Sequence, residues 1–144
     1  MIGCIIQARM GSTRLSGKVM KLVDGKNPSL FHTINQLKSC KTLDKIIVAT
    51  TNENEDDIIE NYVKNIGIDV FRGSSDDVLD RYFQCAKSNN FSAVVRITAD
   101  CPIIDPNIVD EGVKIFSSGI YDYVTNTFPR SFPDGNETEV FSIT

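Results

Sequence analysis

The 144-residue sequence has no tryptophan and a single histidine, His32. One distant imidazole gives no support for a Ser-His-Asp or Cys-His nucleophile. Its four cysteines, at 4, 40, 85 and 101, include no C-x-x-C pair, and His32 is close to none of them in sequence. That spacing does not read as a zinc site, so free thiols in a reducing compartment are the expectation. No apolar run approaches the ~20 residues that a membrane-spanning helix needs. The opening "MIGCII" has no positive residue ahead of its short apolar stretch, and position 2 is Ile rather than Gly. It therefore resembles neither a secretory signal nor a myristoylation site, and a cytoplasmic protein with no membrane partner is expected. The net charge of −4 excludes the extended basic face of a general nucleic-acid binder.

Negative charge is also missing locally. Residues 1–23 hold Arg9, Arg14, Lys18 and Lys21 and no Asp or Glu. That segment carries +4, so with a total of −4 the remaining 121 residues carry −8. The cations cluster in "IIQARMGSTRLSGKV" (5–19), where an apolar run breaks into a loop containing Gly11 and Gly17. A compact basic loop on an acidic body suits a small polyanion such as a phosphate chain.

Short apolar runs at 2–6, 45–50, 68–71, 93–97 and 121–126 read as strands. Four amphipathic stretches lie between them. The first opens at Asn27 (N-cap) and Pro28 (N1), with Leu30, Phe31, Ile34 and Leu37 on one face. The second places Ile58, Ile59, Tyr62, Val63 and Ile66 on a stripe that stops at Gly67. The third follows a Ser74/Ser75 cap with Val78, Leu79, Tyr82, Phe83 and Ala86, and the fourth runs from Asp105-Pro106 to Gly119. Strand–helix alternation with nearly all-apolar strands predicts one α/β domain, 1–144, with a mostly parallel sheet covered on both faces. After residue 126 the pattern changes, and the alternating "ETEVFSI" is expected to run antiparallel or to form an arm.

Ligands of open α/β sheets collect beyond the carboxyl ends of the strands. The first strand is followed there by the Gly/Arg/Lys loop, the third by Arg72-Gly73-Ser74, the fourth by Thr98 and Asp100, and the fifth by Asn126 and Arg130. The loop is no Walker A cradle: five residues separate Gly11 from Gly17, and Val19 occupies the Ser/Thr position. It reads either as a phosphate cradle, with backbone N–H groups and cations around an anion, or as a solvated basic loop. Asp100 reads either as a Mg²⁺ ligand or as an Asx-turn. Asp105 is expected to cap a helix. The acidic run "NENEDD" (52–57) is expected to do no more than complement a helix dipole, and Asp76 and Asp77 likewise, with Asp77 placed i,i+4 to Arg81.

Five ordered blocks, "IIQARMGSTRLSGKV", "IIVATTNENEDD", "VFRGSSDDVLDRY", "VVRITADCPIIDP" and "DYVTNTFPRSFPDGNETEVFS", together resemble the cytidylyltransferases that activate acidic sugars. The likeness is nearest to their spore-coat polysaccharide branch, beside the CMP-sialate and CMP-KDO synthetases. It implies a three-layer α/β/α nucleotide-diphospho-sugar transferase fold, Rossmann-like, and Mg²⁺-dependent transfer of CMP from CTP to a small acidic sugar with release of pyrophosphate. By position in the motifs it implies that Arg9, Gly11, Ser12, Arg14 and Lys18 hold the triphosphate, with Arg9, Lys18 and Asp100 catalytic. Arg72, Ser74 and Thr98 fall with the nucleoside and Asp100 with the metal, while Asn126 and Arg130 lie where the sugar approaches. The family runs beyond residue 144, and the portion this sequence lacks holds the remaining sheet, much of a homodimer interface and a second metal-binding aspartate. One carboxylate therefore makes a weak Mg²⁺ site unless Asp134 or Glu139 compensates. Segment 127–144 would then serve as a sugar-binding or dimer arm. Ser16 stands for a usual Pro, Ala99 for a usual Gly, and "GNETEVF" for "GLDVEVF". Two rival readings remain: a nucleotide-sugar glycosyltransferase of related fold, disfavoured by the lack of Asp-x-Asp, and an inactive nucleotide-binding remnant.

Overall fold

Strand β1 (Ile2–Gln7) is apolar on both faces and buried from Gly3 to Ile6, so it takes an interior position in the sheet. It pairs in parallel with β2 (Lys45–Thr51) and with β4 (Ala93–Thr98), and β2 pairs in parallel with β3 (Asp69–Gly73). In this computed structural model, which describes residues 1–143, two further strands complete the sheet: β5 (Tyr123–Thr125) and β6 (Glu139–Ser142). The order is β3-β2-β1-β4-β6-β5, with β6 antiparallel to both of its neighbours. The alternating segment after residue 126 is therefore a strand, and it separates β5 from the parallel strands. Arg96 and Glu139 face each other across the β4–β6 pair and form a salt bridge at 2.5 Å.

Helices cover both faces, which makes three layers. Helices α1 (Ser29–Leu37), α2 (Asp57–Asn65) and α4 (Pro106–Ser117) bury Leu30, Ile34, Ile59, Val63, Val109 and Val113 against Ile6, Val48 and Val95. Helix α3 (Val78–Ser88) packs Tyr82, Cys85 and Ala86 on the opposite face against Ile5, Ala49 and Val94. Gly3 permits the close approach of Phe91, whose ring lies 2.0 Å from the place a Cβ would take.

Local chemistry shifts some boundaries. Pro28, not Asn27, is the N-cap of α1, and Asn27 instead closes a turn on Asp24. The cap of α3 is Asp77, which accepts from the Asp80 N–H at 2.8 Å, whereas Ser74 accepts from the Asp76 and Asp77 amides one turn earlier. Asp77 is thus spent on the backbone and forms no ion pair with Arg81. Leu79 and Phe83 are exposed, because α3 turns Arg81, Tyr82, Cys85 and Ala86 to the sheet. Asp105 caps α4 as expected, accepting from Asn107 N–H at 2.8 Å.

Candidate active site

The chain winds outward from β1 through β2 to β3, then crosses to β4 on the other side. That reversal opens a crevice beyond the carboxyl ends of β1 and β4, the switch point where open α/β sheets bind ligands. A cleft of about 210 Å³ occupies it, lined by Gln7, Arg9, Gly11, Ser12, Arg14, Lys18, Thr98 and Asp100 among others. Sheet pairing continues past both strands: Ala8 N–H donates to Ala49 O, and Ala99 N–H donates to Gln7 O, each at 3.0 Å. The carbonyl of Ala99 accepts from the Ser29 and Thr33 hydroxyls of α1 at 3.3 and 3.2 Å. Asp100 therefore projects from a point held on both sides.

Across the cleft Lys18 forms an ion pair with Asp100. Both ends remain reachable, with side chains 31% and 39% exposed, so a ligand can exchange with either partner. Burial alone would raise the Asp100 carboxyl. Hydrogen bonds from Lys18 and Thr98 and the Lys18 charge outweigh it, and the group lies below the usual carboxylate range. Lys18 begins a short 3-10 turn, Lys18–Met20, whose N-cap Gly17 has φ +66°. Only glycine adopts that conformation without strain. Gly17 N–H also closes the loop by donating to Met10 O at 2.9 Å.

Arg72 and Ser74 do not line this cleft. Arg72 donates to Thr51 O (2.8 Å), Glu53 O (2.7 Å), Asp57 (2.5 Å) and Glu60 (2.7 Å), so it ties the end of β2 to α2. Asn126 lines a separate, apolar cavity of about 230 Å³ between α4 and β5. Its amide bridges the β5–β6 connection, donating to Asn136 O and accepting from Thr138 N–H at 2.7 and 2.9 Å. Arg130 pairs within the same connection with Asp134, and with Glu137 at 3.6 Å.

Two groups near the cleft carry no sequence signal of their own. Arg81 is fully buried; its Nη1 donates to Ser74 O at 2.5 Å, while Nε and Nη2 have no partner. Burial lowers its pKa, and the neighbouring Arg9 lowers it further. Asp56, in the acidic run, is also fully buried and reaches under the basic loop to accept from Met10 N–H at 2.7 Å. Side-chain burial depends on tertiary packing, which a polar run does not advertise.

The family model described as cytidylyltransferase matches residues 3–141. The chain belongs to the cytidylyltransferase family. A cytidylyltransferase structure from Leptospira borgpetersenii serovar Hardjo-bovis superposes with a TM-score of 0.92 at 42% identity, covering 99% of this chain and 60% of that one. The spore coat polysaccharide biosynthesis protein SpsF of Bacillus subtilis is 38% identical over 128 residues, 85% of this chain and 53% of its own. The structure of CMP:2-keto-3-deoxy-manno-octonic acid synthetase complexed with CTP shares the fold, with a TM-score of 0.75 at 21% identity over 85% of this chain and 50% of that one. The chain spans about half the length of the curated relatives it matches. No described helix is long and apolar enough to cross a membrane.

Proposed function

We propose that this chain is the nucleotide-binding part of an enzyme that transfers CMP from CTP to a hydroxyl of a small acidic sugar. The observation that carries the reading is the meeting of Lys18 and Asp100 across the switch-point cleft, with Arg9, Ser12 and Arg14 along the same wall. The cationic loop binds the β- and γ-phosphates. As the sugar oxygen bonds to the α-phosphorus and loses its proton to water, the α–β bridge breaks and negative charge grows on the departing pyrophosphate. Arg9 and Lys18 stabilise that charge from fixed positions, so the protein acts by orientation and electrostatics. Thr98, beside Asp100, lies where the nucleoside enters. In this reading the β5–β6 connection, with Asn126 and Arg130, borders the sugar. The named relatives support an acidic sugar in surface polysaccharide synthesis.

A divalent cation suits the donor set. Among the described residues no group of three metal-ligating side chains exists. Mg²⁺ commonly takes one or two carboxylates and completes its shell with water and substrate phosphates, which Asp100 alone can begin. There it would polarise phosphate oxygens, and Asp100 is the residue that would hold it.

Calorimetry with CTP, UTP, GTP and ATP, each with and without Mg²⁺, tests the reading, followed by pyrophosphate release with a panel of acidic sugars that includes KDO. CTP is expected to bind most tightly, with Mg²⁺ dependence. Binding without release would assign turnover to residues beyond this chain, and no triphosphate binding would overturn the proposal.

A further inference from the structure

Asp56 belongs to an acidic run whose other members from 52 to 57 are exposed, yet its own side chain is fully buried. Helix capping does not account for it, because its carboxylate makes no cap hydrogen bond to α2. Nor is it among the ion pairs of the described residues. Its two oxygens are instead divided between two elements. Oδ2 accepts from the Thr51 N–H at 3.2 Å and from the Thr51 hydroxyl, at the end of β2, while Oδ1 accepts from Met10 N–H at 2.7 Å.

Met10 is the closing point of the basic loop. Its carbonyl accepts from Gly17 N–H while its own N–H is held by Asp56, and it stands between Arg9 and Gly11, both of which line the cleft. Fixing this one peptide sets the direction from which the backbone and side chains on either side meet an anion. A carboxylate buried beneath a phosphate loop opposes the anion by its charge, which the nearby buried Arg81 offsets in part, while its hydrogen bonds to Met10 and Thr51 give it a geometric role.

We infer that Asp56 is a positioning residue, which holds the Met10 peptide so that Arg9 and the Gly11–Ser12 backbone are aimed at the triphosphate. The inference rests on the nucleotide reading above and adds the device that shapes its anion site. An ionised carboxylate accepts stronger hydrogen bonds than an amide oxygen. Asn at position 56 also sets an NH₂ against at least one of the N–H donors, Met10 or Thr51, which must then go unpaired.

The full chain, Asp56→Asn and Thr51→Val are compared by calorimetry with CTP and with CMP, which lacks the β- and γ-phosphates, and by thermal denaturation. Asp56→Asn is expected to lose about tenfold in CTP affinity with CMP binding unchanged, so the CTP-to-CMP preference falls. Thr51→Val removes a donor to the same carboxylate but keeps the Met10 bond; it is expected to lower the melting temperature and leave that preference intact. A purely electrostatic role predicts the opposite sign, tighter CTP binding by Asp56→Asn, and that result or an unchanged preference overturns the inference. Hydrogen exchange on the unliganded wild type supplies a readout independent of variant folding. The Met10 amide is expected to be protected well beyond those of Gly11 and Ser12, and equal exchange at all three also overturns it. Wild type that binds no CTP overturns the nucleotide reading instead, a result distinct from CTP binding that Asp56→Asn leaves unaltered.

Discussion

Lys18 and Asp100 form an ion pair across the cleft, and under the proposed function a triphosphate would exchange this pair for its own charge-assisted contacts. Lys18→Ala is expected to lower pyrophosphate release by ~10²–10³, the ~2.7–4 kcal/mol that a lost electrostatic donor costs. Far-ultraviolet circular dichroism should remain that of the folded protein. Arg72→Ala has the opposite signature: because its guanidinium is spent on protein oxygens of β2, α2 and the segment between them, a drop in denaturation midpoint with CTP affinity intact is expected. Those two arginine-and-lysine positions show how far the residue scale was legible. Lys18 and Asp100 each follow a buried strand, and the rule that ligands gather at strand ends brings them together. Arg72 follows a strand too, but two carboxylates one helix away claim its side chain, and nothing in "VFRGSS" encodes those partners. Asp56 was legible only as a helix-dipole residue, since local charge pattern carries no information about which acid turns inward. The basic loop, free of acids in sequence, gathers Asp56 and Asp100 around it in space.

At the scale of elements, caps and turns do most of the positioning. Gly17→Ala forces a Cβ into the left-handed region and within 3.0 Å of the Met10 methyl, and ~1–2 kcal/mol of stability should be lost in urea denaturation. Asp110 on α4 ties down the turn that follows α1, accepting from the Lys41 and Thr42 amides at 3.0 and 3.1 Å and from the Thr42 hydroxyl at 2.6 Å. Burial alone would raise this carboxyl; the hydrogen bonds from Thr42 and Lys41, aided by Lys114, prevail and lower it. A carboxyl whose folded value lies below its unfolded one contributes fully above the ordinary Asp range, near pH 4, and loses that contribution as pH falls through the lower folded value. Asp110→Ala should therefore cost ~1–3 kcal/mol at neutral pH, with the gap from wild type closing in acid when melting temperature is followed against pH. The existence of all four helices and the apolar stripe of α1 were readable from periodicity, as was that of α2 except for Ile58, which is exposed. Cap identity was less so: several Ser, Asn and Asp residues compete near each start, and the structure selects Pro28 and Asp77 by the backbone angle at which each segment enters. In α3 Tyr82 and Ala86 of the expected stripe are buried, but the sheet-facing side takes Arg81 and Cys85 in place of Leu79 and Phe83, which stay outside.

For the whole molecule, strand–helix alternation sufficed to predict parallel pairing of β1 to β4 and helices on both faces. Strand order beyond β4 was not encoded locally, since no helix joins β5 to β6 and the antiparallel insertion depends on which edge is free. Val140 of β6 is fully buried, and its strand covers the open edge of β4. A chain ending before Thr138 is thus expected to expose that edge and self-associate, visible as concentration-dependent light scattering that residues 1–144 do not show. The same insertion separates the order of synthesis from the order of assembly. The peptide Tyr123–Thr125 leaves the ribosome first but can dock only on Glu139–Ser142, which follows after the intervening turn has been made. Until β6 emerges the β4 flank of the nascent sheet stays bare, so slow synthesis after β5 would lengthen its exposure to chaperones and to misassembly alike.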